Sequence, residues 1–287
     1  MKKIGIIIIL FMMAIGITNA QVGIYPRLIF IDGMTKSAYV KIFNHTDEQK
    51  EVFLTYQFVI DKSDSNAMKI KTPVDSALEK KYTLDPYLKL FPKRLTLKAN
   101  AEMMVRFLVM HPNDLPDGTY ITKLKVRSKK LDTQVDTTNA DTKNLHISME
   151  LASEIVTLVC YQKGVLTTNA EISNIATSED STHFNINLGM KQSGNSPFWG
   201  NLICAINDAE GHNIDTISNP FALYCDQNEK VKIKKSKLTA GKKYKVAITI
   251  DTNRDAEIPG ERIIKKEPIY KNIEFTYPEG IVNVVDK

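Results

Sequence analysis

Few cysteines, few histidines and almost no helical periodicity mark this 287-residue chain, and each shortage excludes something. Cys160, Cys204 and Cys225 allow at most one internal bridge, so the fold is no disulfide scaffold. Stability has to come from an apolar core, which 43% hydrophobic residues can supply. Two states of the cysteines stay open: three free thiols, or a Cys204–Cys225 bridge between neighbouring strands, with Cys160 a small buried hydrophobe in either case. His45, His111, His146, His183 and His212 are scattered without metal-ligand spacing. No G-x-S-x-G, P-loop or H-E-x-x-H motif occurs. The expectation is a protein that is not an enzyme and needs neither cofactor nor metal.

Residues 1–20 read as an export signal rather than as part of the fold. Lys2 and Lys3 form a basic start, residues 4–17 an apolar run, and Thr18-Asn19-Ala20 a small-residue cleavage site leaving Gln21 as the mature N-terminus. That run is short for a membrane span, and no later stretch is long enough to cross one. No cysteine near the cleavage site offers a lipid anchor. The formal charge of +5 drops by the two lysines to +3, mildly basic and no argument for nucleic acid. The one local basic run, "KVKIKKSK" (230–237), reads as an exposed strand face that lysines guard against edge pairing.

What is present is strand after strand. Short runs rich in Val, Ile, Thr, Tyr and Phe, bounded by Asn, Asp, Gly and Pro, fall at 22–31, 37–45, 50–60, 86–97, 101–110, 118–127 and 144–162. A second set falls at 169–176, 182–190, 199–207, 212–217, 229–234, 242–250 and 268–277. About seven strands in each half is the count of an immunoglobulin-like sandwich. The predicted fold is therefore all-β, with two such domains in tandem, 21–163 and 164–287, meeting near the turn at Gly164. Residues 74–81 are the one candidate helix, and 62–81 and 128–143 are polar loops. "DTNRDAEIPGE" (251–261) alternates Asp251, Asn253 and Asp255 as calcium loops do, but Ala256 stands where the sharp turn needs glycine and Arg262 where a bidentate Glu belongs. A plain hairpin loop is expected there.

The segment "NLHISMELASEIVTLVCYQ" (144–162) changes character midway. Leu145, Ile147, Met149 and Leu151 alternate with polar residues, and a nearly solid apolar run follows from Ile155 to Cys160. Arg27, in "YPRLIFIDG", shares the alternating face of Tyr25, Ile29 and Ile31, a candidate fork for a carboxylate. "YLKLFPKRLTLKANAEMMVRFLV" (87–109) gives a strand, a break at Pro92 and a strand holding Val105-Arg106, and "LPDGTYITKLKVRS" (115–128) a turn feeding a strand.

The order and spacing of these stretches resemble the N-terminal domain of the periplasmic pilus-assembly chaperones, the PapD-like family. That domain has an early strand with an arginine before an apolar pair, here Arg27. An "L-x-P…L…VR" stretch, here Leu90 to Arg106, precedes an "L-P" turn, here Leu115-Pro116, and a long alternating strand closes the domain, here Leu145 to Leu151. "LGMKQSGNSPFWGNLICAINDAEGHNI" (188–214) and "LTAGKKYKVAITID" (238–251) resemble the second domain. The resemblance implies a periplasmic chaperone that donates its alternating strand to complete the sandwich of pilus or fimbrial subunits. Side chains about 6.8 Å apart would enter client pockets while the backbone pairs with the client's sheet. It implies client-binding roles for Arg27, Leu145, Ile147, Met149 and Leu151, and an outer-membrane usher as a candidate second partner. One departure stands: the lysine that the family carries on this strand falls on Glu154 or on Leu158, neither basic. Arg27 would then act alone or with a base from a neighbouring strand, Arg106 or Lys123. The other reading of the same fold is an exported two-domain structural or adhesive module.

Overall fold

The computed structural model describes residues 22–63, 69–71, 76–131 and 152–286, and it forms two immunoglobulin-like β-sandwiches in tandem. The chain begins with β1 (Val22–Tyr25), β2 (Leu28–Ile31), β3 (Ser37–Asn44) and β4 (Lys50–Gln57), then β5 (Asp61–Ser63), β6 (Lys69–Lys71) and the short helix α1 (Ser76–Tyr82). There follow β7 (Leu88–Phe91), β8 (Arg94–Leu97), β9 (Glu102–Val109), β10 (Gly118–Lys130) and β11 (Ala152–Lys163). One sheet runs β1-β3-β9-β7 and faces a five-stranded sheet β2-β11-β10-β4-β8, with β5 and β6 as a separate hairpin. Between the two sheets lies a core that includes Ile29, Ile31, Val40, Leu54, Phe107, Leu124, Val159 and Tyr161.

Two expected strands, 22–31 and 86–97, are each broken at a proline, Pro26 and Pro92, and each break sends the chain from one sheet to the other. Proline has no N–H for the ladder, so it sits where pairing ends. Arg27 consequently does not share a strand face with Tyr25, Ile29 and Ile31, as the alternation suggests; it stands exposed in the bend between the sheets.

The second sandwich comprises β12 (Thr168–Glu179), β13 (His183–Gly194), β14 (Phe198–Asp208), β15 (Asn213–Leu223), β16 (Gln227–Lys234), β17 (Lys243–Asp251), β18 (Ile269–Thr276) and β19 (Gly280–Asp286). Its sheets run β12-β13-β16 and β15-β14-β17-β18-β19 around a core that includes Phe184, Ile206, Val231, Ile248 and Phe275. Gly164, at φ +64°, lets the chain turn from β11 towards β12, and a Cβ there would collide with the Asp117 carboxyl group.

The two sandwiches share a third core. Phe58, Tyr82, Ile121 and Cys160 of the first meet Trp199, Tyr224, Ile258 and Ile263 of the second, with Leu28, Phe30 and Leu158 packed alongside. Phe30 and Trp199 meet edge to face at 6.1 Å, as do Tyr82 and Tyr224. Burial pushes the Tyr82 and Tyr224 hydroxyls well above the usual phenol range. Beside the apolar seam is a polar one. Thr119 and Ser196 share a buried hydrogen bond of 2.7 Å, and Asn195 Nδ2 donates to the backbone oxygens of Asp117 (3.0 Å) and Val165 (2.9 Å). Residues 251–261 belong to the connection between the antiparallel neighbours β17 and β18, a hairpin loop as expected from the sequence, and this loop also packs against the first domain. Asp255 is taken by Lys265 at 2.7 Å, Ile258 enters the seam, and the neighbouring Arg262 guanidinium lies 5.9 Å from the centre of the Phe30 ring.

The change of pattern in β11 follows from this seam. Val159 and Tyr161 point into the first core, while Leu158 and Cys160, on the opposite face, lie under the second domain. A strand covered on both faces can be apolar at every position. Trp199→Ala opens a cavity at the centre of the seam and is expected to cost about 3 kcal/mol. In scanning calorimetry its unfolding should separate into two transitions; an unchanged melting curve would show that the seam does not couple the domains.

None of the three cysteines is bridged to another; Cys160 and Cys204 are buried and Cys225 is half-buried. Burial raises the Cys204 thiol to about 12 and pushes that of Cys160 up as well. Only Cys225 should react with a thiol reagent at pH 8 in the native protein. The other two should react on unfolding without reductant, and a total of one would mean that a bridge forms.

Candidate functional site

β11 is flanked unequally. On one side β10 pairs with it from Lys163 back to Ala152. On the other, β2 runs parallel to it over Leu158–Tyr161 only. Among the described residues, no strand lies beyond Ala152–Thr157 on that side. Backbone N–H and C=O groups in such a segment are a template for a further strand. "ASEIVT" carries no lysine, arginine or proline on this edge, its one charge being exposed Glu154, and leaves Val156 43% exposed. β16, an edge strand of the second sandwich, carries exposed Lys232 and Lys234 on its outward face, the guarding expected of that basic run.

Arg27 stands where β2 ends and the open segment begins. Its backbone oxygen accepts the hydroxyl of Thr157, the last residue of the open segment, and Leu28 beside it is in register with Leu158. A strand added along Ala152–Thr157 would continue the line of β2 and bring one of its ends to Arg27. An exposed guanidinium at that joint can hold a carboxylate in two hydrogen bonds.

The other candidates are placed unequally. Lys123, on β10, is in register with Leu158 and so lies on the same row of the sheet as Leu28. Its side chain is mostly covered, and its ammonium donates to Asp61 Oδ2 at 2.9 Å. Arg106 is on the other sheet, on β9, its guanidinium 5.7 Å from the centre of the Tyr39 ring. The structure therefore brings Arg27 and Lys123 to one sheet and leaves Arg106 apart. Leu145, Ile147, Met149 and Leu151 lie outside the described residues, just ahead of Ala152 on the chain.

The two positions on which the family's strand lysine falls each face a base across the ladder. Leu158 is opposite Lys123, and Glu154 is opposite Arg127. Sequence reasoning passed over Arg127 although its signal was present. In "KLKVRSK" basic residues alternate at 123, 125, 127 and 129, which puts all four on the outward face of a strand whose inward face is Leu124 and Val126. The single tryptophan, Trp199, was likewise missed, because nothing local marks a residue that packs between domains.

No protein-family model and no curated protein matches the chain. Solved structures do. A chaperone–tip adhesin complex of CFA/I fimbriae biogenesis is 14% identical, with a TM-score of 0.44 over 88% of this chain and 97% of that one. The YadV chaperone is 12% identical, with a TM-score of 0.44 over 89% and 100%. The CsuC–CsuE chaperone–tip adhesion subunit complex from the archaic chaperone-usher Csu pili of Acinetobacter baumannii is 14% identical, with a TM-score of 0.42 over 88% and 98%. At these identities and TM-scores the likeness says nothing of what this chain does.

Proposed function

We propose that this protein is a periplasmic chaperone that holds pilus or fimbrial-type subunits by donating a strand to them. The observation that carries this reading is the edge at Ala152–Thr157, open among the described residues and continuous in the chain with the alternating Leu145, Ile147, Met149 and Leu151. In this reading residues 1–20 direct export, 21–163 hold the client and 164–287 brace them. The apolar set fills the client's pockets, β11 completes the client's sheet through backbone hydrogen bonds, and Arg27 receives a carboxylate at the joint with β2. Lys123 is the base nearest in register to support it, though it first has to be shared with Asp61. No covalent step is involved. An outer-membrane usher would be the second partner. Among the described residues no helix is long and apolar enough to cross a membrane.

Co-purification from the periplasm tests the reading directly. The expected product is a heterodimer with a small β-sandwich subunit identified by mass spectrometry; a protein that is exported yet recovered alone would favour a structural or adhesive module. Ile147→Asp or Met149→Asp would bring an unpaired charge into a client pocket at a cost of several kcal/mol. The heterodimer should be lost while the free protein melts as before. Unfolding or aggregation of either variant on its own would place these residues in this protein's own core.

Arg27→Ala should weaken capture roughly tenfold, the worth of a charge-assisted hydrogen bond, and leave the melting temperature unchanged because the side chain is exposed. Arg27→Lys should also weaken capture, since an ammonium does not reproduce the fork. Full capture by both variants would reduce Arg27 to a solvated bend residue.

A further inference from the structure

Beside the open edge, on the outward face of the same sheet, lies a shallow groove of about 540 Å³. Lys125, Arg127 and Lys129 of β10 line it with Phe53 and Thr55 of β4 and Glu154 of β11. Among the described residues its charges are not balanced. Glu51, at the far end, is already bonded by Arg94, whose guanidinium stacks 5.1 Å from the centre of the Phe53 ring, and lies 3.9 Å from Lys129. Among the described residues Glu154 is the only acid lining the groove, and it stands opposite Arg127. Lys125 and exposed Arg127 have no ion-pair partner within 4.0 Å among the described residues.

Register fixes what could meet these cations. Lys125 is opposite Val156, in the open segment. A strand added beyond Val156 would lie two strands from Lys125, roughly 9.6 Å away. A lysine and a glutamate side chain reaching towards each other over the small Val156 span that distance. Alternate residues of the added strand face the groove, and the others face the core side of the sheet.

We propose that the groove receives carboxylates from an acidic extended segment lying along the open edge of β11, so that it selects, among strands able to pair there, those carrying Glu or Asp towards β10. This rests on the reading of Ala152–Thr157 as the client-binding edge and adds to it the chemistry of the partner. Attraction of this kind acts mainly on the encounter rate and on the choice between partners.

Two labelled ten-residue peptides test it, one alternating valine with glutamate and one alternating valine with glutamine, titrated against the full mature chain by fluorescence anisotropy. The glutamate peptide should bind about fivefold more tightly at low salt, the sum of two exposed ion pairs, and the preference should fade as salt approaches physiological strength and beyond. In Lys125→Gln/Arg127→Gln the preference should vanish while the glutamine peptide binds as before. Arg127→Gln alone, at an exposed position, should lose part of it and serves if the double variant is unstable. Equal binding of both peptides, or a preference that survives these substitutions, overturns the groove inference and leaves the edge standing. If neither peptide binds, the edge itself is not available, and both readings fall.

Discussion

The packing of Cys160, Leu158 and Phe30 against Trp199 and Ile263 is the constraint on which the rest of the arrangement depends. A sandwich sheet normally shows water one of its two faces, and its strands alternate accordingly. Here one end of the five-stranded sheet is covered on its outward face by the second domain. Where the cover exists, β11 is apolar on both faces; where it stops, the outward face turns to Val156 and Glu154 and, on β10, to Lys125 and Arg127. The boundary of the second domain thus sets a boundary of chemistry on the first, and the open edge and the basic groove both lie on its uncovered side.

The same end of β11 loses its neighbour because of a proline. Pairing between β2 and β11 begins at Leu28, two residues after Pro26. Pro26 cannot donate to a ladder, and the bend that it occupies carries the chain to the other sheet. Were β2 to run straight back through Tyr25, it would lie along the segment that is now open. One sequence feature therefore produces two structural consequences: a stretch of strand left unpaired on one side among the described residues, and an arginine displayed at the end of it. Proteins usually blunt such an edge with charge or a bulge. The lysines of β16 do so in the second sandwich, whereas "ASEIVT" carries a single charge, Glu154.

Much of this could be read in the sequence, and what could not has identifiable causes. Period-two alternation reports which face of a strand is buried, so most of the strands, the two cores and the doubly apolar end of β11 were legible, whereas β19 and the small hairpin of β5 and β6 were not expected. Alternation does not report which sheet a strand joins. The runs at 22–31 and 86–97 looked continuous, and Arg27 looked as if it faced the same way as Ile29, because a change of sheet at Pro26 leaves the count of residues intact. Pairing across strands is equally silent. Arg106 and Lys123 were equivalent candidates on spacing, yet one lies on the β1-β3-β9-β7 sheet and the other in register with Leu158. The loop at 251–261 was weighed by its carboxylates, as a cation loop or a hairpin, whereas its structural role belongs to Ile258 and, just beyond it, Arg262 and Ile263, which touch the first domain, as where the Arg262 backbone oxygen accepts from Gln162, 100 residues earlier.

An edge that captures a partner strand gains if it is already a strand. Ordering a backbone costs about 1–2 kcal/mol per residue, and whatever is ordered before the encounter is not subtracted from the affinity. Ala152–Thr157 meets this condition through its other side: the ladder to β10 runs unbroken through the open half, and β10 is itself held by β4 from Lys123 to Lys130. At the far end, the seam pins Leu158 and Cys160. The open segment is thus clamped laterally along its length and axially at one end, while its free face and free edge remain unspent. The basic row on β10 belongs to the same rigid element, so its charges are presented at a fixed register to whatever pairs with β11, which is what allows a row of cations to discriminate between strands and not merely to attract acid.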